Sequence, residues 1–146
     1  MESFTINGVP TDWNTTTPGA VSEQTALGRV HSGNSSVNLT NGAVLSQVIP
    51  DINPGCFYEL SFFVNAQGGN VGFTATVYFV TPAGLVTGAS VTVRQGDLEN
   101  ASNTFAYFEV FTDRVPDDAT AAIVQFNVVA EGGQSINLDD VSFSSR

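Results

Sequence analysis

Hydrophobic and polar residues alternate with a period of two along most of the chain, which is the pattern of β-strands with one buried face. The alternation is clearest over residues 43–49, 56–66, 72–80, 90–94, 104–112, 121–129 and 135–144, with weaker segments at 3–7 and 35–39. Val, Thr, Phe and Tyr dominate these segments, while Gly, Pro, Asn and Asp cluster between them. Eight or nine short strands at this spacing predict an all-β fold, a two-sheet antiparallel β-sandwich of the jelly-roll kind.

The same alternation assigns side chains to faces of the predicted sheets. Three strands provide predicted core residues: Tyr58, Leu60, Phe62 and Val64, then Phe73, Ala75, Val77 and Phe79, then Ala122, Val124, Phe126 and Val128. The opposite positions predict one outer face with amides and aromatic rings: Gln47, Phe63, Asn65, Tyr78, Gln125 and Asn127. Rings stack on the apolar faces of sugars and amides bind hydroxyls, so this face is a candidate carbohydrate-binding surface. The alternative is an ordinary solvated sheet face with scattered aromatic residues.

The length of 146 residues fits one domain, residues 1–146, with enough chain to bury a sizeable core. The charge is strongly negative, because 14 Asp and Glu residues face only 4 Arg and no Lys, giving a net charge of −10. Such a chain repels phosphate backbones and anionic headgroups, so nucleic acid is not an expected partner. No apolar run approaches the roughly 18 residues that span a bilayer, so membrane insertion is not expected either.

Two adjacent carboxylates, Asp139 and Asp140, lie in the apolar C-terminal segment. If Val141 and Phe143 point into the core, Asp139 shares their side and Asp140 points away. A carboxylate removed from water costs several kcal/mol unless donors or a cation compensate, and this chain has few cations. One prediction is a calcium site, with Asp139 as the anionic ligand and further oxygens from Glu2, Ser3 and the turn at residues 31–34. The alternative is that Asp139 accepts hydrogen bonds from backbone amides of the first strand, or pairs with an Arg.

Catalytic motifs find little support in the sequence. The sequence contains one histidine, His31, but no Gly-x-Ser-x-Gly motif that would supply a nucleophilic serine. Glycosidase chemistry needs two carboxylates about 5 to 10 Å apart, which Glu59 and Glu109 meet only if the strand order brings them together. We therefore expect a chain that is not an enzyme, and a hydrolase is kept as the third alternative.

A series of short motifs runs through the whole chain in a recognisable order. They are Phe4 with Asn7-Gly8 and Trp13, the segments at residues 31–37, 45–49 and 54–62, Val115-Pro116 with residues 119–122, and the closing Leu138-Asp139-Asp140-Val141. This order resembles the galactose-binding-like jelly-roll of carbohydrate-binding modules. More narrowly, the chain resembles the N-terminal domain that precedes collagen-like repeats in surface and spore-coat proteins of Firmicutes, with Phe105 where many relatives have Trp.

The resemblance implies an extracellular, cell-surface or spore-surface location and homo-oligomerisation through a collagen-like stalk. It also implies a structural calcium ion that ties the first strand to the last, with ligands that correspond to the carbonyls of Ser3 and Gly33 and the carboxylate of Asp139. This chain departs from the pattern at Thr5, where many relatives have an acidic residue, and Glu2 is the residue that would compensate. The leading hypothesis is a non-enzymatic binding or display module with a glycan ligand. The alternative is an anchoring or oligomerisation domain without one.

Overall fold

Two five-stranded sheets pack face to face in the computed structural model, which describes residues 3–5 and 7–145. Sheet 1 contains, in spatial order, β1 (Asn14–Thr15), β4 (Val44–Pro50), β9 (Ala121–Ala130), β6 (Val71–Thr81) and β7 (Gly84–Val93). Sheet 2 contains β2 (Val21–Gln24), β3 (Ser36–Thr40), β10 (Ser135–Ser145), β5 (Tyr58–Gln67) and β8 (Ala106–Phe111). All strand pairs are antiparallel, and a single 3₁₀ turn at Pro18–Ala20 precedes β2 in the described part of the chain. The predicted all-β jelly-roll sandwich is confirmed.

The core lies between the two sheets and contains the residues that the alternation places inward. The inward positions of β5, β6 and β9 are all buried, which confirms the three predicted sets. The ring of Phe62 from sheet 2 meets those of Phe73 and Phe126 from sheet 1 edge-on, with centroids 5.7 and 5.0 Å apart. Edge-to-face contacts of this kind stabilise a core beyond the area that they bury. Trp13 packs on the same core at Phe126, with centroids 6.1 Å apart.

The structure differs from the predicted strands in three places. Strand β7 begins at Gly84, six positions before the predicted segment 90–94, because its first half is solvent-exposed and carries little alternation. The short strands β1 and β2 were not predicted, since four residues or fewer hold too little pattern to detect. In the predicted segment 3–7, the described residues form only an isolated bridge between Phe4 and Pro10.

Strand β10 contains a β-bulge that changes the side on which its residues lie. The register with β5 shifts between Asp139 and Ser142, and Asp140 has a left-handed backbone with a φ of 51°. Asp139 is opposite Phe63 on the outer face of sheet 2, whereas Val141 and Phe143 pack on the core. The prediction that Asp139 shares a side with those two residues is therefore wrong. An inserted residue reverses the alternation, and the sequence pattern alone does not reveal it.

Across the described residues, no helix has both the length and the apolar character required to cross a membrane.

Candidate functional site

The six residues predicted to form one carbohydrate-binding face are divided between both sheets. Tyr78, Gln125 and Asn127 lie on the outer face of sheet 1, but Phe63 and Asn65 lie on the outer face of sheet 2. Gln47 is in register with the core residue Val124, on the inner side of sheet 1. Grouping all six was wrong, because alternation separates inward from outward positions but does not say to which sheet a strand belongs.

The outer face of sheet 1, which we call the amide face, contains the three predicted residues that remain together. Tyr78 is opposite Ile123, and the next outward pairs along the two strands are Thr76 with Gln125 and Thr74 with Asn127. Gln125 donates from Nε2 to Oδ1 of Asn127 over 2.9 Å. Across β4 and β7 the same face continues with further outward positions: Val44, Ser46, Val48, Thr87, Ser90 and Thr92. The amide face is thus a half-exposed surface of hydroxyls and amides around one aromatic ring.

A groove of about 370 Å³ lies at the end of the amide face, beside the terminal pair of β6 and β7, Phe73 and Val93. Its lining includes Thr74, Thr92 and Val129 from the face itself, together with Arg94 and Gln95, which follow β7. Val129 is 59% exposed beside it. The groove adds an apolar side and a cation to an otherwise uncharged surface.

The outer face of sheet 2 is covered at one end by two loops, at residues 25–35 and 97–105. Arg29 Nη1 donates to Oδ1 of Asn65, to the carbonyl of Ala66 and to the carbonyl of Asn100 over 2.8, 3.0 and 3.1 Å. Asn65 Nδ2 in turn donates to the carbonyls of Ala101 and Thr104 over 2.9 and 2.7 Å. Asn65 is fully buried as a result. Its amide holds loops in place and is not available to a ligand.

The remaining amides of this face are hydrogen-bonded to one another. Asn137 Nδ2 donates to Oε1 of Gln67 over 3.0 Å and to Oδ1 of Asn65 over 3.3 Å. Gln24 and Asn38 donate back to Oδ1 of Asn137 over 3.2 and 3.0 Å. These contacts satisfy buried polar groups and account for the many amides on this face.

Phe63, the aromatic residue of the predicted face, packs under the first of these loops. The His31 ring stacks on it with centroids 3.7 Å apart and planes 15° apart. Tyr107 lies on its other side, with centroids 4.9 Å apart. The Phe63 ring is therefore sandwiched between two side chains.

The Asp139 carboxylate is fully buried and satisfied by backbone amides. Oδ2 accepts hydrogen bonds from the N–H groups of His31 and Ser32 over 3.0 and 3.2 Å, and Oδ1 accepts one from the N–H of Asp140 over 2.9 Å. This arrangement resembles the predicted alternative of backbone donors, with the difference that two of the amides belong to the turn at 31–34 and the third to Asp140, and none to the first strand. Hydrogen bonds from three N–H groups stabilise the ionised form of a buried carboxylate.

The contacts described for Asp139 do not test the predicted calcium site. Calcium requires six to eight oxygen ligands, whereas the contacts described for Asp139 are N–H donors. No group of three or more His, Cys, Asp or Glu suited to a metal occurs among residues 3–5 and 7–145. Gly33 lies within the turn at 31–34, the carbonyl of Ser3 accepts from the N–H of Thr11 over 2.9 Å, and Glu2 lies outside the described residues. Calcium stays a prediction.

Asp140 anchors the same turn through its side chain. His31 Nδ1 lies 2.6 Å from Oδ2 of Asp140, and Ser32 Oγ donates to both carboxylate oxygens over 2.8 and 2.7 Å. Partial burial acts to raise the pKa of the Asp140 carboxyl, but the hydrogen bonds from His31 and Ser32 and the charge on His31 outweigh it, so that the pKa is lowered. The bulge and the turn are thus joined by two adjacent carboxylates.

The carboxylates considered for hydrolysis, Glu59 and Glu109, lie on the same outer face of sheet 2. Glu109 is opposite Ser61 and Glu59 is opposite Phe111, which makes the two acids diagonal neighbours on adjacent strands. Diagonal neighbours have Cβ atoms roughly 7 to 8 Å apart. The Tyr107 hydroxyl donates to Oε2 of Glu109 over 3.0 Å. Because Glu59 and Glu109 lie on the same face, their positions do not exclude the hydrolase alternative.

No protein-family model and no curated protein sequence matches the chain. Among solved structures, a family 61 carbohydrate-binding module in complex with β-1,4-galactotriose matches with a TM-score of 0.73 and 18% identity, over 100% of both chains. The fold is that of a carbohydrate-binding module. The same fold occurs in the family 22 xylan-binding domain of Paenibacillus barcinonensis Xyn10C, with a TM-score of 0.61 and 14% identity over 96% of this chain and 95% of that one.

The carbohydrate-binding-module fold also matches part of a larger protein. The enzymatically active domain of bacteriophage CBA120 tailspike protein 4 aligns with a TM-score of 0.65 and 20% identity. The alignment covers 97% of this chain and 21% of the tailspike chain. The Firmicutes collagen-like relationship stays a prediction from the motifs.

Proposed function

We propose that the chain is a non-catalytic carbohydrate-binding module that holds a glycan on the amide face. The observation that carries the proposal is the position of Tyr78, a half-exposed ring on the outer face of sheet 1 among hydroxyls and amides. A tyrosine ring presents an apolar surface to the C–H side of a pyranose, and its hydroxyl serves as a polar handle. The neighbouring side chains supply hydrogen bonds to sugar hydroxyls.

The two outer faces differ in whether their side-chain amides are available to a ligand. On sheet 2, Asn65 and Asn137 are fully buried and hydrogen-bonded to loops and to each other. On sheet 1, Gln125 and Asn127 are half-buried, and the bond between them leaves amide donors and acceptors for a ligand. Val48 and Val129 add exposed apolar surface at two sides of the amide face. This combination of few polar groups and apolar patches suits a neutral sugar chain.

Affinity gel electrophoresis on immobilised polysaccharides tests the proposal. The wild-type protein is expected to be retarded by at least one of a panel that includes β-1,4-galactan and xylan, the two classes of glycan that occur with structures of this fold. Tyr78→Ala is expected to remove the retardation, and Gln125→Ala to weaken it. Tyr107→Ala is the matched control, because Tyr107 is 51% exposed but lies on the opposite side of the sandwich. Retardation by none of the panel, or equal loss with Tyr107→Ala, would contradict the proposal.

Extracellular placement and a structural calcium ion belong to the same proposal. Both come from the motif resemblance, and the fold match to glycan-binding proteins supports a setting in which glycans are displayed. The bound calcium would be held by the Asp139 region, away from the amide face, and would stabilise the turn at 31–34 without contacting sugar.

Self-assembly is a second candidate function, favoured by the exposed aromatic side chains of the edge strand β8. Tyr107 is 51% and Phe111 44% exposed on this strand, and edge strands pair readily with other chains. Sedimentation velocity over a hundredfold concentration range tests it. A concentration-dependent oligomer that Phe111→Ser disrupts supports assembly, and a monomer throughout rejects it.

A further inference from the structure

The groove at the end of the amide face contains a cation in a chain that has very few. We propose that this groove binds the carboxylate of a uronic acid residue in the glycan, with the Arg94 guanidinium as its partner. The inference rests on the proposed glycan-binding function and adds the class of sugar that the site selects.

The backbone after β7 forms one wall of the groove. A Cβ atom on Gly72 would clash with the carbonyl oxygen of Val93 and lie 2.8 Å from the N atom of Gln95. The chain at residues 93–95 therefore passes closer to the sheet than a side chain at position 72 would allow. This crossing places Arg94 at the edge of the groove. Gly72 is thus the residue that permits the wall to form.

Hydroxyls connect the groove to the row of amides. Thr74 is opposite Asn127 on one side and opposite Thr92 on the other, and the two threonine Oγ1 atoms are 3.2 Å apart. Thr74 and Thr92 also line the groove with Arg94. Neighbouring strands are about 4.8 Å apart, so Asn127 and Thr92 are separated by roughly 10 Å across the sheet. A sugar chain that crosses β9, β6 and β7 would therefore reach Arg94 without leaving the surface.

The other described cations already have partners within the protein. Arg29 makes three hydrogen bonds under the loops of sheet 2, and Arg114 Nη1 lies 3.4 Å from Oδ1 of Asp117. Among residues 3–5 and 7–145, no ion pair or hydrogen bond engages the Arg94 side chain. A guanidinium offers paired N–H donors that match a carboxylate in two parallel hydrogen bonds. Among the described arginines, Arg94 is therefore the one whose guanidinium a ligand can use.

The net charge of −10 opposes the approach of an acidic polymer as a whole. At an ionic strength near 0.15 M, charges separated by more than about 8 Å are largely screened, whereas a direct ion pair in a groove is screened less. The preference for an acidic sugar is therefore expected at physiological salt and depends on one contact. It is not a general attraction to polyanions.

Two matched pairs of polysaccharides test the inference at about 0.15 M salt, near physiological ionic strength. Polygalacturonate is compared with its methyl ester, and glucuronoxylan with its carboxyl-reduced form, so that each pair shares its sugar backbone and only one member carries the ionised carboxylate. We expect the wild-type protein to bind the acidic member of at least one pair about 5 to 10 times more tightly, the effect of a charged hydrogen-bonded contact. Arg94→Gln is expected to abolish this preference and Arg94→Lys to keep part of it. Arg114→Gln is the control, because it removes the same charge from an exposed site outside the groove lining.

Equal binding within both pairs, or a preference that Arg94→Gln reduces no more than Arg114→Gln does, would overturn the inference. In either case, Tyr78-dependent binding of neutral galactan or xylan would leave the proposed function standing. Failure of every neutral and acidic glycan to bind would reject both proposals together.

Discussion

Phe63 and Tyr78 lie on opposite outer faces of the sandwich, although each is an aromatic residue at an outward strand position. The Phe63 ring is enclosed between His31 and Tyr107, with centroid distances of 3.7 and 4.9 Å. The Tyr78 ring is flanked by Ile123 on β9 and Thr87 on β7. The Phe63 ring therefore fixes a loop to its sheet, and the Tyr78 ring is the one that we propose stacks on a ligand.

The buried amide of Asn65 has a structural role, so its removal is expected to reduce stability and leave binding unchanged. Asn65→Ala deletes the acceptor for Arg29 and the donor to the carbonyls of Ala101 and Thr104. Leaving such buried groups unsatisfied costs about 2 to 4 kcal/mol in the free energy of unfolding. Chemical denaturation measures the loss, and affinity electrophoresis measures binding. Asn127→Ala is the control with the opposite expectation, a small change in stability and weaker glycan binding.

Asp139 is expected to contribute much more to stability than its neighbour Asp140. Asp139→Asn places an amide where the carboxylate accepts N–H bonds from His31, Ser32 and Asp140, at a fully buried position. We expect a loss of about 2 to 4 kcal/mol in the free energy of unfolding. Asn tolerates the left-handed backbone at position 140, and the Asp140 side chain is 34% exposed. Asp140→Asn is therefore expected to lower the free energy of unfolding by less than about 1 kcal/mol. Equal losses of unfolding free energy for the two variants would contradict the larger structural role of Asp139.

The same variants test the predicted calcium ion. A bound ion stabilises the folded state by mass action, so added calcium would raise the melting temperature of the wild-type protein and a chelator would lower it. Asp139→Asn would abolish this response if Asp139 is a ligand. A melting temperature that is identical with calcium and with chelator would contradict the predicted calcium ion.

The lowered pKa of Asp140 makes its contribution to stability depend on pH. The carboxyl has a folded-state pKa below its ordinary value of 3.8, so its ionised form stabilises the fold above that value. This contribution is lost as the pH falls through the folded-state pKa. The difference in unfolding free energy between wild type and Asp140→Asn at pH 5 is therefore expected to shrink below about pH 4. Urea denaturation at a series of pH values measures it, and a difference that stays constant down to about pH 2.5 would contradict the linkage.

The sequence alone predicts which residues form the core, but it does not predict on which sheet each outward-facing residue lies. Alternation identified the inward residues of β5, β6 and β9 because a buried position tolerates few residue types. It did not show that β5 belongs to one sheet and β6 and β9 to the other, since strand order depends on pairing between distant segments. That missing information is the reason why Phe63 and Asn65 were grouped with Tyr78.

The C-terminal acidic pair shows a second limit of the pattern. The apolar neighbours of Asp139 correctly indicated a buried carboxylate with compensating partners. The bulge at Asp140 reversed its side, because a single left-handed residue leaves no signature in the alternation. Arg94 was also not predicted, since nothing in its local sequence indicates that the chain crosses over Gly72.

Chemical-shift mapping by NMR with β-1,4-galactotriose and xylohexaose tests most directly where a glycan binds. We expect the perturbed backbone and side-chain amides to cluster on the outer face of sheet 1, at Gln125, Asn127 and the neighbours of Tyr78, and Tyr78→Ala to abolish the perturbations. The side-chain amides of Asn65 and Asn137 on sheet 2 are expected to be unaffected. Perturbations centred on sheet 2 around Tyr107 and Phe111, or none with either sugar at millimolar concentration, would contradict it.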